Sequence, residues 1–188
     1  NNFDTLYDFC LANKIDLVVV GPEVPLVNGV VDFLDSKKIM AFGPKKIPAG
    51  LEGSKIFMKD ICSKYNIPTA AYKSFKEKQL ACDYLKSHTF PVVIKASGLA
   101  AGKGVTIATS LNDGLLAIND IFNDKFGSGC ELVIEEFMDG EEASYFVFTD
   151  GTNYIPLSSA QDHKRIGDGD TGPNTGGMGA YSPAPVFT

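Results

Sequence analysis

Apolar residues along the chain come in two kinds of run, and the order in which these follow one another predicts the architecture. FDTLYDFCLANK (3–14) spaces its apolar side chains as a helix does, and IDLVVVG (15–21) is a continuous apolar run ending in glycine. Such a run predicts a parallel strand buried on both faces. GPEVPLVNGVVDFLDSKK predicts a loop leading into a helix, and IMAFGP the next strand, which together complete a β-α-β unit. GPKKIPAGLEG, dense in glycine and proline, predicts a boundary. After it, SKIFMKDICSKYN predicts a helix capped by Ser54, with Ile56, Met58, Ile61 and Cys62 as its apolar face.

The following stretch mixes strands and helices differently. IPTAAYKSF predicts a strand, KEKQLACDYLKSH a helix, and FPVVIKA and VTIAT two strands flanking a glycine-rich loop. SLNDGLLAINDIFND predicts a helix whose Ser110 and Asp113 are close to capping-box spacing. CELVIEEFMDGEEASYFVFTDG predicts a strand, a hinge at Asp139 and Gly140 and a second strand, and TNYIPLSSA one more. The fold class expected is therefore α/β followed by α+β.

Chemistry enters with the loop in IKASGLAAGKGVTIAT (94–109). A P-loop needs Gly, four residues, then Gly-Lys-Ser/Thr running into a helix. Here three residues separate Gly98 from Gly102, Gly104 stands where the hydroxyl should be, and a strand follows instead of a helix. Strand, glycine loop, strand describes a flap. Its backbone N–H groups and Lys103 suit a polyphosphate, and they equally suit an ordinary hairpin with a solvated lysine. Lys55, in the first turn of its helix, opposes the macrodipole, so it is either solvated or held there for an anion. Glu23 stands where strand ends meet loops in open α/β sheets, or else it belongs to a helix start shaped by Pro22 and Pro25. The tail QDHKRIGDGDTGPNTGGMGAYSPAP is too long for a routine connection, which leaves disorder or a binding loop.

Composition narrows the classes. The 188 residues carry a formal charge of −6 without a basic stripe, so there is no electrostatic footprint for nucleic acid. No apolar run approaches the about 18 residues of a membrane span. Cys10, Cys62, Cys82 and Cys130 are scattered, as reduced thiols in a cytoplasmic protein are, and His88 and His163 lack partners at zinc-ligand spacing. The chain opens on Asn1 without methionine and runs directly into a helix, so a fragment is expected.

A lysine after EGS, a lysine ending a strand before a glycine flap, and the acidic strand-hinge VIEEFMDGEE stand in one order. With VGPEVPLVNGVVD, LEGSKIFMKD, VIKASGLAAGKGV and AQDHKRIGDGDTGPNTGGMGAYSPAP, that order resembles the glycinamide ribonucleotide synthetase (phosphoribosylamine–glycine ligase) family of the ATP-grasp superfamily. The resemblance implies a partial N-terminal βαβ (pre-ATP-grasp) domain over 1–49 and an incomplete ATP-grasp domain over 50–188. Within the latter, 69–138 would form a small α+β lid, and 50–68 with 139–188 would belong to the central subdomain.

Carried to this sequence, the resemblance implies Lys55 and Lys95 on the α- and β-phosphates of ATP, and Gly98, Gly102, Lys103 and Gly104 as the flap. It implies Glu135 and the backbone of Phe137 and Met138 at the adenine edge, and Glu142 on the ribose hydroxyls. Glu23 with Asp170, Asn174, Thr175, Gly177 and Met178 would hold glycine and 5-phosphoribosylamine. No catalytic side chain is assigned, and the ligands of Mg2+ or Mn2+ are expected beyond Thr188, which would leave this chain alone inactive. Ser97 stands where the family usually has an acidic residue, and this puts the anchoring of the flap in question. Two alternatives remain: another ATP-grasp carboxylate–amine ligase, in which the DTGPNTGGMG loop would be missing, and a non-catalytic nucleotide-binding module.

Overall fold

The computed structural model describes residues 2–99, 104–123, 125, 131–169 and 171–187, without the side chains of 173 and 174. Two compact units result, Asn1–Phe137 and Met138–Thr188. In the first, Asn2 caps α1 (Phe3–Ala12) by accepting from the Thr5 amide at 3.2 Å. β1 (Val18–Val19), α2 (Glu23–Val27), α3 (Val30–Ser36) and β2 (Ala41–Phe42) follow. β1 and β2 pair in parallel, as the β-α-β pattern predicts, and Leu26, Val30, Val31, Leu34 and Ala49 form a small core beside them.

The apolar run before Gly21 is not buried on both faces. Val19 is 67% exposed and its neighbour across the ladder, Phe42, 52% exposed, because the described residues place no element over that side of the two-stranded sheet. The predicted boundary is likewise a helix, α4 (Lys46–Gly53). Pro48 is tolerated because it sits in the first turn, where an amide has no intrahelical acceptor. Asp32 accepts the Lys46 amide at 2.7 Å, which fixes that end on α3. A division between 49 and 50 therefore falls inside α4.

Ser54 ends α4 and caps α5 (Lys55–Tyr65), accepting from the Phe57 amide at 3.2 Å. β3 (Tyr72–Phe75), α6 (Lys78–Lys86), β4 (Val92–Ser97), β5 (Val105–Ala108), α7 (Leu111–Phe122) and β6 (Glu131–Glu136) complete the first unit. The four strands form one antiparallel sheet ordered β3-β6-β4-β5. Ser110 caps α7 as the spacing predicts, accepting from the Asp113 amide at 3.2 Å.

Register sorts the sheet into two faces, since successive side chains alternate. Phe75, Leu132, Ile134, Val92, Ile94, Ala96 and Ala108 share one face, which packs on Ala81 and Leu85 of α6 and on Ala117, Ile118 and Ile121 of α7. The other face carries Tyr72, Glu135, Lys95 and Ser97, and α5 lies against it.

The second unit consists of short strands. β7 (Val147–Thr149) and β8 (Tyr154–Pro156) form a hairpin whose turn is tied by Asp150, which accepts from the amides of Thr152 and Asn153 at 2.8 and 2.7 Å. These bonds pull the Asp150 carboxyl down to about 2. The glycine-rich tail pairs as well. β9 (Gln161–Asp162) joins β12 (Ala180–Tyr181), and β10 (Arg165–Gly167) joins β11 (Thr171–Asn174), both antiparallel.

Gly114 sits inside α7 because a Cβ there would lie 2.5 Å from Leu85 Cδ2, within the helix–helix–sheet core. A valine at this position improves helix propensity by a few tenths of a kcal/mol at most and overpacks the core by about 1–3 kcal/mol. Gly114→Val is therefore expected to lower the urea midpoint at an unchanged slope.

Candidate functional site

The polar face of the four-stranded sheet collects most of the residues singled out in the first unit. Lys55 opens α5, is half-buried and donates from Nζ to the Gly98 carbonyl at 3.1 Å. Ser97 supports the same junction. Its Oγ accepts from the Ile56 amide at 3.4 Å and lies 3.5 Å from Ser54 Oγ, which ties the end of β4 to the first turn of α5. Gly98 then turns with φ +132°, a conformation that other residues rarely adopt. Burial pushes the Lys55 ammonium below its ordinary range, and Lys95 adds to that while Glu52 and Glu135 oppose it.

Lys95 and Glu135 face each other on β4 and β6, with Nζ 2.8 Å from Oε2. Glu135 is 4% exposed and Lys95 28%. The other carboxylate oxygen faces a residue that the apolar periodicity of α5 hides. Lys59, one turn after Lys55, is 2% exposed and its Nζ lies 3.4 Å from Glu135 Oε1. It also donates to Thr69 Oγ1 at 2.8 Å and to the Ala70 carbonyl at 3.1 Å, and it sits 5.2 Å from the Tyr72 ring centre. Glu135 Oε1 is buried and has no hydrogen-bond partner. The available signal was the spacing, since Lys55 and Lys59 stand at i and i+4 on one helix face.

Two ammonium groups, Lys59 and Lys95, therefore flank one carboxylate, and a third, Lys55, meets the Gly98 carbonyl. That arrangement suits an anion near Lys55 and Lys95.

Gly104 closes the β4–β5 hairpin, its carbonyl accepting from the Ala96 amide at 2.8 Å, and it is buried. Gly102 and Lys103 lie outside the described residues, as do Asp170 and the side chain of Asn174. Phe137 ends the first unit, partly exposed, and Met138 begins the second. Glu23 opens α2 and is exposed, without a capping bond.

In the second unit Glu142 pairs with Lys164 at 3.2 Å, and Asp162 meets the same ammonium at 3.3 Å. Burial disfavours the Lys164 charge, but the two carboxylates outweigh it and hold the group above its ordinary range. Thr175 donates from its amide and its hydroxyl to the Lys164 carbonyl, at 2.7 and 3.0 Å, and accepts from the Gly177 amide at 3.0 Å. The Met178 amide donates to His163 O at 2.8 Å, while the Met178 side chain is exposed. The residues from Thr175 to Met178 are thus anchored by their backbone to the strand end that carries Lys164.

Comparison with known proteins matches this chain along its length. Residues 1–52 match the phosphoribosylglycinamide synthetase N domain, and residues 53–188 its ATP-grasp (A) domain. The border falls at the end of α4. The chain is 56% identical over 188 residues to the phosphoribosylamine–glycine ligase of Rhizobium meliloti (strain 1021), covering 100% of this chain and 44% of that protein. It is similar to the crystal structure of phosphoribosylamine–glycine ligase from Thermotoga maritima, at 34% identity and a TM-score of 0.74, covering 88% of this chain and 41% of the other. The biotin carboxylase domain of the Hydrogenobacter thermophilus 2-oxoglutarate carboxylase, solved with MgADP, shares the fold at 22% identity and a TM-score of 0.71, over 88% and 38%. The chain spans less than half the length of these relatives.

The depressed Lys55 ammonium has a consequence for stability. Between its lowered value and 10.5 the unfolded chain binds more protons than the folded one, so this group makes stability rise with pH. In denaturant titrations from about pH 8 to about pH 10.5, the difference between the wild type and Lys55→Met is expected to grow in favour of the wild type. A difference that stays flat would contradict the assignment.

Proposed function

The chain belongs to the phosphoribosylglycinamide synthetase family, and from that premise we propose that the protein carrying it is an ATP-dependent phosphoribosylamine–glycine ligase of purine biosynthesis in the cytoplasm. In this reading residues 1–49 end the N-terminal substrate domain, 69–138 form the lid over ATP, and 50–68 with 139–188 belong to the central subdomain.

One observation carries the proposal. Lys55 at the start of α5, half-buried and donating to the Gly98 carbonyl, lies against the sheet face that carries Lys95, and its ammonium is depressed by burial first and then by Lys95, so two cations are held near the Gly98 turn. They take the α- and β-phosphates of ATP, and Gly98, Gly102, Lys103 and Gly104 lie over them. Glu135 and the backbone of Phe137 and Met138 meet the adenine edge. Glu142 takes the ribose hydroxyls. Glu23, Asp170, Asn174, Thr175, Gly177 and Met178 hold glycine and 5-phosphoribosylamine.

Phosphoryl transfer asks a protein mainly for position and charge. A carboxylate oxygen of glycine attacks the γ-phosphorus, and the bond to the bridging oxygen breaks, leaving ADP and glycyl phosphate. The amine of phosphoribosylamine then attacks the acyl carbon, a proton leaves the nitrogen, and phosphate departs with the electrons of the C–O bond. A closed flap keeps water from the acyl phosphate in the interval. The family also implies Mg2+ or Mn2+. No cluster of three or more His, Cys, Asp or Glu among the described residues is arranged to hold a metal ion, so the described part of this chain contributes lysines and backbone instead.

ADP release by the complete protein is expected to require both glycine and phosphoribosylamine. Turnover supported by bicarbonate in place of glycine would assign it to another ATP-grasp reaction. Lys95→Ala is expected to raise the KM for ATP at least tenfold, about 1.4 kcal/mol of lost binding. An unchanged KM would remove Lys95 from the phosphate site.

A further inference from the structure

Lys59 and Lys95 flank the same carboxylate, but they are not equivalent. Lys59 is 2% exposed; its Nζ donates to two fixed acceptors, Thr69 Oγ1 and the Ala70 carbonyl, and is ion-paired with Glu135 Oε1 at 3.4 Å. Lys95 is 28% exposed, and among the described residues the one acceptor it meets is Glu135 Oε2, at 2.8 Å. The first is locked into the fold, and the second has donors to spare for a ligand.

A buried carboxylate that loses a counter-ion is strongly destabilised. If Lys95 were the sole partner of Glu135, turning it toward an anionic ligand would strand that charge, and the carboxylate would compete with the ligand for the ammonium. We propose that Lys59 is a positioning residue for nucleotide binding: by holding the Glu135 carboxylate from the α5 side, it releases Lys95 to engage phosphate. Lys59 touches no ligand and acts through Glu135. Its anchors at Thr69 and Ala70, just before β3, fix the ammonium whether or not Lys95 has moved. The proposal rests on the assignment of Lys95 to the phosphates of ATP.

The test uses the complete enzyme and compares Lys59→Met in two backgrounds, with Glu135 intact and with Glu135→Gln. ATP affinity is measured by calorimetry and folding by chemical denaturation. With the carboxylate present, Lys59→Met is expected to weaken ATP at least tenfold. With Glu135→Gln, where no buried charge competes for Lys95, the same change is expected to cost less than twofold. A purely structural lysine would produce the same loss in both backgrounds, so equal losses overturn the proposal, as does a folded Lys59→Met that binds ATP within threefold of the wild type. If Lys59→Met alone does not fold, the comparison of Glu135→Gln with the double variant decides: a further loss of threefold or more overturns the proposal, and a smaller one supports it. Failure of the functional assignment is recognised separately, by a wild type whose ADP release does not require glycine and phosphoribosylamine.

Discussion

Glu135 is a carboxylate in the middle of a sheet, and much of the first unit is arranged around the need to compensate it. An isolated buried charge of this kind is among the most expensive features a fold can contain, and it persists because two ammonium groups reach it from different elements, Lys95 from the neighbouring strand and Lys59 from α5. Meeting that requirement brings α5 against the polar face of the sheet. Once α5 is there, its first turn lies over the end of β4, where the Gly98 carbonyl accepts from Lys55 and the Ser97 hydroxyl from the Ile56 amide.

The two faces of the sheet therefore do different work. One is closed by α6 and α7 over a core of Ile94, Ile118, Leu132 and Ile134, which supplies stability without polar groups. The other holds a set of charges whose separations depend on that core being well packed, since displacing a strand by one residue would exchange the faces. Rigidity on one side is what allows the charged groups on the other to be held at fixed separations.

Legibility in the sequence followed the range of the interactions. The caps at Ser54 and Ser110 act within three residues, and both were readable from spacing alone. So were the strands flanking the glycine loop, β4 and β5, of which β4 alternates in burial. The failures involve neighbours distant in sequence. GPKKIPAGLEG reads as a boundary by composition but forms α4, because Asp32 takes the Lys46 amide and Pro48 falls in the one turn that tolerates it. The glycine-rich tail reads as a loop but pairs as β9 with β12 and β10 with β11, since its ladder partners lie on either side of the same glycines. Ser97, which departs from the family pattern, acquires a role from Ile56, 41 residues away.

The sequence by itself determined most of the elements of the first unit, the strands on either side of the glycine loop where a P-loop would have a helix, and the family to which the chain belongs, because periodicity, capping and motif spacing are local properties of a polymer. Only the tertiary structure decided which lysine is free and which is bound. Lys59 falls on the helical wheel between Cys62 and Ile56 of α5, and the ladder that pairs Glu135 with Tyr72 and with Val93 places a carboxylate oxygen 3.4 Å from its ammonium. Charge compensation acts through space at a few ångströms, and the separation along the chain between a lysine on α5 and a glutamate on β6 carries no trace of it.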